Sequence, residues 1–182
     1  MRIIAGTWRG RRLLTPSDRA IRPTGERARE ALFGILEHGA PALRGARFLD
    51  LFCGTGAVGL EAASRGAAEV LLVDDDARAL QLARANLERL GAPENVRLAV
   101  RDATRLGPAQ QPYELVFLDP PWRSGLATPT LAALREGWLA DGARLVVETD
   151  AREEVNLPPG FALEQERRYG AARFTFLRAA AG

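Results

Sequence analysis

The sequence predicts an α/β protein with a mostly parallel, seven-stranded sheet, an antiparallel C-terminal hairpin, helices on both faces and a small N-terminal arm. Two observations lead to this prediction. Short apolar segments alternate with stretches of helical periodicity through the middle of the chain, and two further strand-like segments flank Gly170 near its end. With 182 residues, 47% of them apolar, the chain is long enough to bury one hydrophobic core.

Residues 1–23 are predicted to form a basic, hairpin-like arm rather than part of the core. Their apolar pieces are short and are broken by glycine, proline and arginine. Residues 1–30 contain eight arginines and three carboxylates, so their net charge is +5, whereas the net charge of the whole chain is +2. Such clustering is typical of a surface that meets phosphate groups. Residues 24–182 are expected to form the main domain.

A helix is predicted directly after the arm. Its apolar residues recur at the spacing of one helical face: Ala28, Ala31, Leu32, Ile35 and Leu36. Thr24 is the candidate N-terminal cap, and Gly39 is the expected stop. This helix should pack on the domain that follows.

The predicted strands of the parallel sheet are five apolar runs, over 46–52, 69–74, 96–100, 113–119 and 143–149. Helical stretches are expected between them, most clearly over 76–90, where Asp75 or Asp76 would cap the start and Gly91 follows the end. This alternation predicts right-handed crossovers with helices on both faces of the sheet. Segments 161–169 and 172–178 predict the closing antiparallel hairpin.

The cysteine and histidine counts narrow the possible function classes. The single cysteine excludes an intramolecular disulfide framework, and one cysteine with one histidine leaves little for a zinc or haem site, so we expect no metal. No apolar run reaches the ~20 residues that span a bilayer, and "IIAG" after Arg2 is too short for a signal peptide. The expectation is a cytoplasmic protein without a membrane partner.

A glycine-rich turn follows the first predicted strand, in "DLFCGTGAVG". Gly54, Gly56 and Gly59 have G-x-G-x-x-G spacing, which lets the backbone turn tightly and directs the amides of the next helix at a ligand. Asp50 and Phe52 precede the glycines. Ligands of open parallel sheets bind at the carboxyl ends of the strands, so this turn is a candidate cofactor site. The spacing alone would equally suit a nicotinamide dehydrogenase.

Acidic residues also follow the second and third strands. Asp74, with Asp75 beside it, comes twenty residues after Gly54, where a carboxylate can bind a ribose diol. Asp102, with Ala103 beside it, stands where an adenine would lie. Asp102 could also serve only to hold its own loop.

Asp50 discriminates between cofactors. A carboxylate just before the glycine turn would repel a pyrophosphate but suits a cofactor with a cationic amino group. S-adenosylmethionine is such a cofactor, and its ammonium, ribose and adenine would meet Asp50, Asp74 and Asp102. Asp50 could instead be no more than an acceptor that fixes the loop.

The fourth predicted strand ends in "DPPW". Proline lacks an amide hydrogen and disfavours helix in the residue before it, so Pro120 and Pro121 would end the ladder and hold Asp119 extended. The Asp119 carboxylate and the Pro120 carbonyl would accept the hydrogens of an exocyclic amine, which favours attack of its lone pair on the sulfonium methyl. Trp122 offers a flat face on which the base can stack. These residues predict catalysis of methyl transfer to a nucleobase amine.

These motifs also resemble known families. "DPPW" resembles the motif of amino-directed methyltransferases, and "FLDLFCGTGAVGLEAASRG" looks like the class I, Rossmann-like methyltransferases as a whole. Together with "RIIAGTWRGRRL" and "RPTGERAREALF", they resemble the RsmD family, bacterial methyltransferases of a guanine in small-subunit ribosomal RNA. The resemblance implies guanine-N(2) methylation in an assembling subunit, with Arg22, Pro23 and Thr24 near RNA and cofactor. Trp122 departs from the phenylalanine or tyrosine more usual in the family, and Asp74 from glutamate.

The residues predicted to contact RNA are mostly in the arm: Arg2, Trp8, Arg9, Arg11, Arg12, Arg22 and Arg123. "TWRGRR" interleaves a tryptophan with arginines, as RNA-binding arms do. Trp8 could instead be a packing residue, the arm a solvated basic surface and Arg123 a plain loop charge. The expected partner is ribosomal RNA, bound by a monomer.

Three other functions stay open at this point. An adenine-amine DNA or RNA methyltransferase uses the same four-residue motif, although the chain lacks room for a target-recognition domain. A dehydrogenase would need a hydride acceptor site. An RNA-binding assembly factor with a relict cofactor fold would not depend on Asp119.

Overall fold

The structure is a computed structural model that describes residues 1–16 and 25–180. The helices are α1 (Glu26–Glu37), α2 (Ala57–Ser64), α3 (Ala77–Arg89) and α4 (Ala127–Leu134). The strands are β1 (Arg47–Leu51), β2 (Glu69–Asp74), β3 (Val96–Val100), β4 (Tyr113–Leu118), β5 (Leu139–Asp150), β6 (Phe161–Tyr169) and β7 (Ala172–Ala179). Across these two ranges, no helix is both long and apolar enough to cross a bilayer.

The strands form one sheet in the order β3-β2-β1-β4-β5-β7-β6. The pairs from β3 to β5 are parallel, whereas β7 lies antiparallel between β5 and β6. The strand order reverses between β1 and β4, and such a switch point is where sheets of this kind bind ligands. The predicted fold class, including the antiparallel C-terminal hairpin, is confirmed.

Both faces of the sheet are covered by helices. Phe48 and Phe117 pack on the face that α1, α2 and α3 cover, whereas Leu49 and Leu118 pack on the face that α4 covers. Successive side chains of a strand point to opposite sides, so a strand buried on both faces consists of apolar residues throughout. This is the physical reason why the sequence shows continuous apolar runs.

The prediction of a helix between every pair of parallel strands is wrong for β3 and β4. Residues 101–112 form turns there. Gly107, Pro108 and Pro112 interrupt this short segment, and proline cannot donate the backbone hydrogen bond that a helix interior requires.

Two predicted element ends also differ from the structure. β5 begins at Leu139, earlier than position 143, because Leu139 pairs with Tyr113 before an irregularity in the ladder. α1 begins at Glu26 with Gly25 at its N-cap and ends at Glu37. The predicted cap, Thr24, lies outside the described residues.

The N-terminal segment packs into the molecule, so the prediction that it takes no part in the core is wrong. An antiparallel bridge between Arg2 and Arg12 gives the segment its predicted hairpin form. Ile3 and Leu13 are nevertheless 0% and 5% exposed, because they pack in the same cluster as α1, α2 and α3. The basic side chains of the hairpin face solvent while its apolar ones complete the core.

Glu61 of α2 fastens this hairpin. Its carboxylate is fully buried and accepts hydrogen bonds from the amides of Ile4 at 2.8 Å and Ala5 at 2.9 Å. Arg65, one helical turn later, supplies the opposite charge through a 2.8 Å bond from its Nε. A buried negative charge costs free energy unless it is paired and hydrogen-bonded in this way.

Candidate active site at the carboxyl edge of the sheet

Two predicted motifs meet at the switch point between β1 and β4. The amide of Asp119 donates to the carbonyl of Leu51 at 3.2 Å, which extends the parallel ladder one residue beyond β4. On the other side, the amide of Cys53 donates to the carbonyl of Val73 at 3.0 Å. The glycine turn therefore starts between the ends of β2 and β4, next to side chains from both.

The glycine turn has backbone angles that its residue types explain. Gly54 and Gly56 have φ values of 53° and 77°, in the left-handed region that glycine adopts without strain. Phe52 also has a φ of 60°, which costs a residue with a side chain on the order of 1 kcal/mol. A Cβ placed on Gly54 would meet no atom within 4 Å, so the turn is open on that side. The open side leaves room for a ligand.

Asp50 lies within β1, underneath the glycine turn. Its side chain is 1% exposed, and its Oδ2 accepts a hydrogen bond from the amide of Gly59 at 2.9 Å. Burial raises the pKa of Asp50 to about 8; the Gly59 bond opposes this rise and the charge of Asp74 adds to it. The bond to Gly59 agrees with the loop-holding role, and a contact between Asp50 and a cofactor ammonium stays a prediction.

Asp74 ends β2 beside the turn. Its Oδ2 accepts from the amide of Gly54 at 2.9 Å, and its Oδ1 accepts from the amide of Asp76 at 3.0 Å. Burial raises the pKa of Asp74, against these two bonds. Carboxylate oxygens have a further lone pair each, so Asp74 can hold the turn and still accept from a ribose. Asp75 is exposed, and Asp76 caps α3 by accepting from the amide of Arg78 at 2.8 Å.

Asp102 follows β3 and is engaged within its own loop. Its Oδ1 accepts from the hydroxyl of Thr104 at 2.7 Å and from the amide of Thr104 at 2.8 Å, and these bonds lower the pKa of Asp102. Ala103 is 4% exposed, with its side chain packed on the α4 side of the sheet. Only the backbone of Ala103 is therefore suited to meet a cofactor. The bonds of Asp102 agree with the loop-fixing alternative.

The DPPW loop presents Asp119 at the carboxyl end of β4. Asp119 and Trp122 are partly exposed, Pro120 is buried and Pro121 is exposed. Burial first, and then the charges of Glu148 and Asp50, raise the pKa of Asp119 well above its ordinary value. A carboxylate with a raised pKa has a greater affinity for a proton, which suits a group that receives one.

Arg123 fixes the loop that follows Trp122. Its φ of 59° lies in the left-handed region, and its amide donates to Oε2 of Glu153 at 2.8 Å. Its guanidinium donates to Oδ2 of Asp150 at 2.8 Å. The arginine side chain is 63% exposed, so this ion pair is weak and a phosphate could displace it. Arg123 has a partner within the chain, and its contact with RNA stays a prediction.

Glu148 lies beside Asp119 and is absent from the sequence predictions. Leu118 of β4 pairs with Val147 of β5, so the residues that follow them, Asp119 and Glu148, are neighbours at the same edge of the sheet. Glu148 is 4% exposed. The sequence feature that could have identified Glu148 is a single carboxylate within the apolar run over 143–149.

Asn86 of α3 is a second residue absent from the sequence predictions. It is fully buried, accepts from the amide of Leu14 at 2.6 Å and donates to the carbonyl of Thr55 at 3.0 Å. Because Thr55 lies in the glycine turn, Asn86 connects the N-terminal hairpin to the candidate cofactor site. A polar residue on the apolar face of a predicted helix is the signal that could have found it.

The exposed surface of the hairpin carries four of the predicted RNA-binding residues: Arg2, Arg9, Arg11 and Arg12. Arg2 pairs with Glu26 at 3.3 Å, and Arg11 donates to the carbonyl of Arg89 at the end of α3. Trp8 is half-buried against the core, in agreement with the packing alternative. The remaining predicted residues of this region, Arg22 and Thr24, lie outside the described residues.

Cys53 is a packing residue of the core. It is 8% exposed, and burial raises the pKa of its thiol, so the thiol stays protonated. Within residues 1–16 and 25–180, no three histidine, cysteine, aspartate or glutamate side chains are grouped so that they could hold a metal ion.

Comparison with known proteins identifies relatives along nearly the whole chain. A family model described as "Conserved hypothetical protein 95" matches residues 1–178. The chain is 40% identical to "Ribosomal RNA small subunit methyltransferase D" of Escherichia coli strain K12, across 96% of this chain and 87% of that protein. It is 34% identical to "Putative rRNA methyltransferase YlbH" of Bacillus subtilis strain 168, across 87% of this chain and 86% of that protein.

Solved structures share the fold. "Putative methyltransferase yhhF from Escherichia coli" matches with a TM-score of 0.87 at 38% identity, over 100% of this chain and 99% of that one. A magnesium protoporphyrin IX methyltransferase from Synechocystis PCC 6803 with bound SAM matches with a TM-score of 0.66 at 19% identity, over 85% of this chain and 79% of that one. At this identity the match supports the fold alone. The resemblance in the motifs is confirmed, and this chain belongs to the family described as Conserved hypothetical protein 95, the RsmD family of methyltransferases.

Proposed function

We propose that this protein transfers a methyl group from S-adenosylmethionine to the exocyclic amine of a guanine in small-subunit ribosomal RNA. The observation that carries the proposal is the meeting of the glycine turn and the DPPW loop, joined by the 3.2 Å bond between the Asp119 amide and the Leu51 carbonyl. The name of the Escherichia coli relative, at 40% identity, supports ribosomal RNA of the small subunit as the substrate.

The residues around the glycine turn fit S-adenosylmethionine. The turn is open beside Gly54, and Asp74 stands next to it with acceptor capacity for the ribose. The family to which the chain belongs argues against a dehydrogenase. The other proposed cofactor contacts among the described residues are Phe52, Gly56, Asp75, Asp102, Ala103 and Asp119. Thr24, outside the described residues, is proposed as a further contact.

Asp119 and the DPPW loop would orient the target amine. S-adenosylmethionine, when bound, supplies a methyl group on a positively charged sulfur. The Asp119 carboxylate and the Pro120 carbonyl accept the amine hydrogens, and Trp122 stacks on the base, a contact worth ~1–3 kcal/mol. Holding the reacting atoms in line contributes up to ~7–11 kcal/mol in well-oriented systems. The base must be unstacked to reach Asp119, so a loop or junction of the RNA suits the site.

The N-terminal hairpin would bind the RNA backbone. Its exposed arginines lie on a segment that Asn86 connects to the glycine turn, so RNA held there lies near the cofactor site. We further propose residues 1–23 as the basic arm and 24–182 as the methyltransferase domain. The protein would act as a monomer in the cytoplasm, on an assembling small subunit.

The test is single-turnover methylation of small-subunit RNA and of assembling particles, with the modified nucleoside identified by mass spectrometry. Asp119→Asn should lower the rate by ~10²–10⁴-fold, because the amide cannot take the amine proton. Binding of RNA should stay unchanged. Binding of S-adenosylhomocysteine, which Asp119 is also proposed to contact, should weaken far less than the rate falls. Asp141→Asn, at an exposed position away from the site, is the matched control and should keep the full rate.

Other outcomes would contradict specific parts of the proposal. Methylated adenine in place of methylated guanine would favour the rival amine methyltransferase. An unchanged methylation rate in Asp119→Asn would remove proton uptake by Asp119 from the mechanism. A thermal shift with NAD but not with S-adenosylhomocysteine would indicate that the glycine turn is the cofactor site of a dehydrogenase.

A further inference from the structure

Carboxyl groups from three adjacent strands meet at the switch point: Asp50, Asp119 and Glu148. Asp50 pairs with Phe117 across β1 and β4, and Val147 pairs with Leu118 across β4 and β5. Phe117 packs on the side of α1, α2 and α3. Because side chains alternate along a strand, all three carboxyl groups point to that same side.

Asp119 and Glu148 form the closest pair by register. Neighbouring strands lie about 4.8 Å apart, so the Cβ atoms of these two residues are separated by about 5 Å. Glu148 is 4% exposed, and little water is available to screen its charge. Among the described residues, the charges that act on Asp119 come from Glu148 of β5 and Asp50 of β1, and both disfavour a negative Asp119.

Asp50 differs from Glu148 in its surroundings. Its Oδ2 is bound to the amide of Gly59, and its side chain is 1% exposed under the glycine turn. It holds the turn, and by register it pairs with Phe117, two residues before Asp119, so it lies farther from Asp119 than Glu148 does. Glu148 therefore has the position from which the protonation of Asp119 is most directly controlled.

We propose that Glu148 is a positioning residue for methyl transfer, acting through Asp119 as the second carboxylate of a pair that takes up the proton of the methylated amine. This inference rests on the proposed function. The lone pair of the amine nitrogen forms the new N–C bond, the C–S bonding pair stays on sulfur, and the nitrogen is left with one proton in excess. That proton passes to Asp119, whose affinity for it is raised by the charge of Glu148, and leaves to water with the product.

The test is the pH profile of the single-turnover rate constant for Glu148→Gln. Without the second negative charge Asp119 ionises more readily, so the acid limb of the profile should move about one pH unit lower. The rate at the plateau should fall about 10-fold, because Asp119 becomes a weaker base. Affinities for S-adenosylhomocysteine and RNA should stay within about 3-fold of wild type. Glu148→Asp keeps the charge and should restore the acid limb.

Glu154 is an exposed glutamate on the loop after β5. Glu154→Gln is therefore the matched control and should reproduce the wild-type pH profile. If Glu148→Gln fails to fold, Glu148→Ala removes the same charge and should give the same shift. An acid limb that stays in place in a folded variant overturns the inference, and so does a variant whose only change is weaker cofactor binding. If wild-type protein methylates no small-subunit RNA, the proposed function fails instead.

Discussion

Asp50 should give the stability of this protein a pH dependence whose sign and size follow from its surroundings. The carboxyl group is 1% exposed, and burial raises its pKa from 3.8 to about 8 in the folded chain. Between these values the folded state holds a proton that the unfolded state has lost, so the free energy of unfolding falls as the pH rises. The slope is about 1.4 kcal/mol per pH unit.

Asp50→Asn removes this titration, and the amide oxygen can still accept from Gly59. Between pH 5 and pH 8 the wild type should lose about 4 kcal/mol of stability relative to the variant. Above the folded pKa, near 8, the difference should become constant. Below pH 3.8, the pKa in the unfolded chain, both the folded and the unfolded state hold the proton, so this loss of stability should be absent.

Urea unfolding at several pH values between 5 and 8, followed by the fluorescence of the three tryptophans, measures this difference. Asp75→Asn changes an exposed carboxylate at the same edge, and its difference from wild type should stay within about 0.5 kcal/mol throughout. A difference between wild type and Asp50→Asn that does not change with pH would refute the reasoning. Weaker binding of S-adenosylhomocysteine by Asp50→Asn would support the predicted contact with the cofactor ammonium.

Two further pairs of substitutions test packing next to the site. Glu61→Ala should lower the free energy of unfolding by about 3–5 kcal/mol, because two amides lose their acceptor and the buried Arg65 loses its buried partner. Glu37→Gln removes the more exposed partner of the same arginine and should cost under about 1 kcal/mol. Gly59→Ala places a Cβ 2.2 Å from Leu72 and should cost about 1–3 kcal/mol, whereas Gly34→Ala, a helical glycine in open space, should stabilise by about 0.5–1 kcal/mol.

Thermal and urea unfolding of these four variants provide the measurements. Equal losses from the Glu61 and Glu37 variants would contradict the assignment of Glu61 as the residue that fastens the hairpin. If Gly59→Ala were as stable as Gly34→Ala, the close packing of α2 on β2 would be wrong.

Strand positions could be predicted from the sequence because each strand is buried on both faces. β2 and β3 match the predicted runs residue for residue. β5 is longer than its apolar run, since Leu139 pairs with Tyr113 before an irregularity in the ladder. The helix predicted between β3 and β4 is absent for a related reason. The prediction came from the alternation of strands and helices in this fold class and not from the residues at 101–112 themselves.

The two loops of the candidate site could also be predicted, because their geometry is local. Gly54 and Gly56 adopt positive φ values that few other residues tolerate, and the prolines after Asp119 end β4 by lacking an amide hydrogen. The sequence leaves two roles open for Asp50 and Asp102, since a carboxylate beside a loop can bind either a ligand or the loop. Hydrogen bonds to Gly59 and Thr104 became visible only in three dimensions.

By itself the sequence determined the fold class, the family and the two loops, since periodicity, glycine and proline act on the chain within a few residues. The tertiary structure alone decided which side chains join these loops. Glu148 reaches Asp119 through strand pairing, Asn86 reaches Leu14 across 72 positions, and Glu61 reaches Ile4 across 57. Burial and pairing at such separations depend on how the whole chain packs, and they give Asp119 its charged surroundings and the hairpin its place beside the glycine turn.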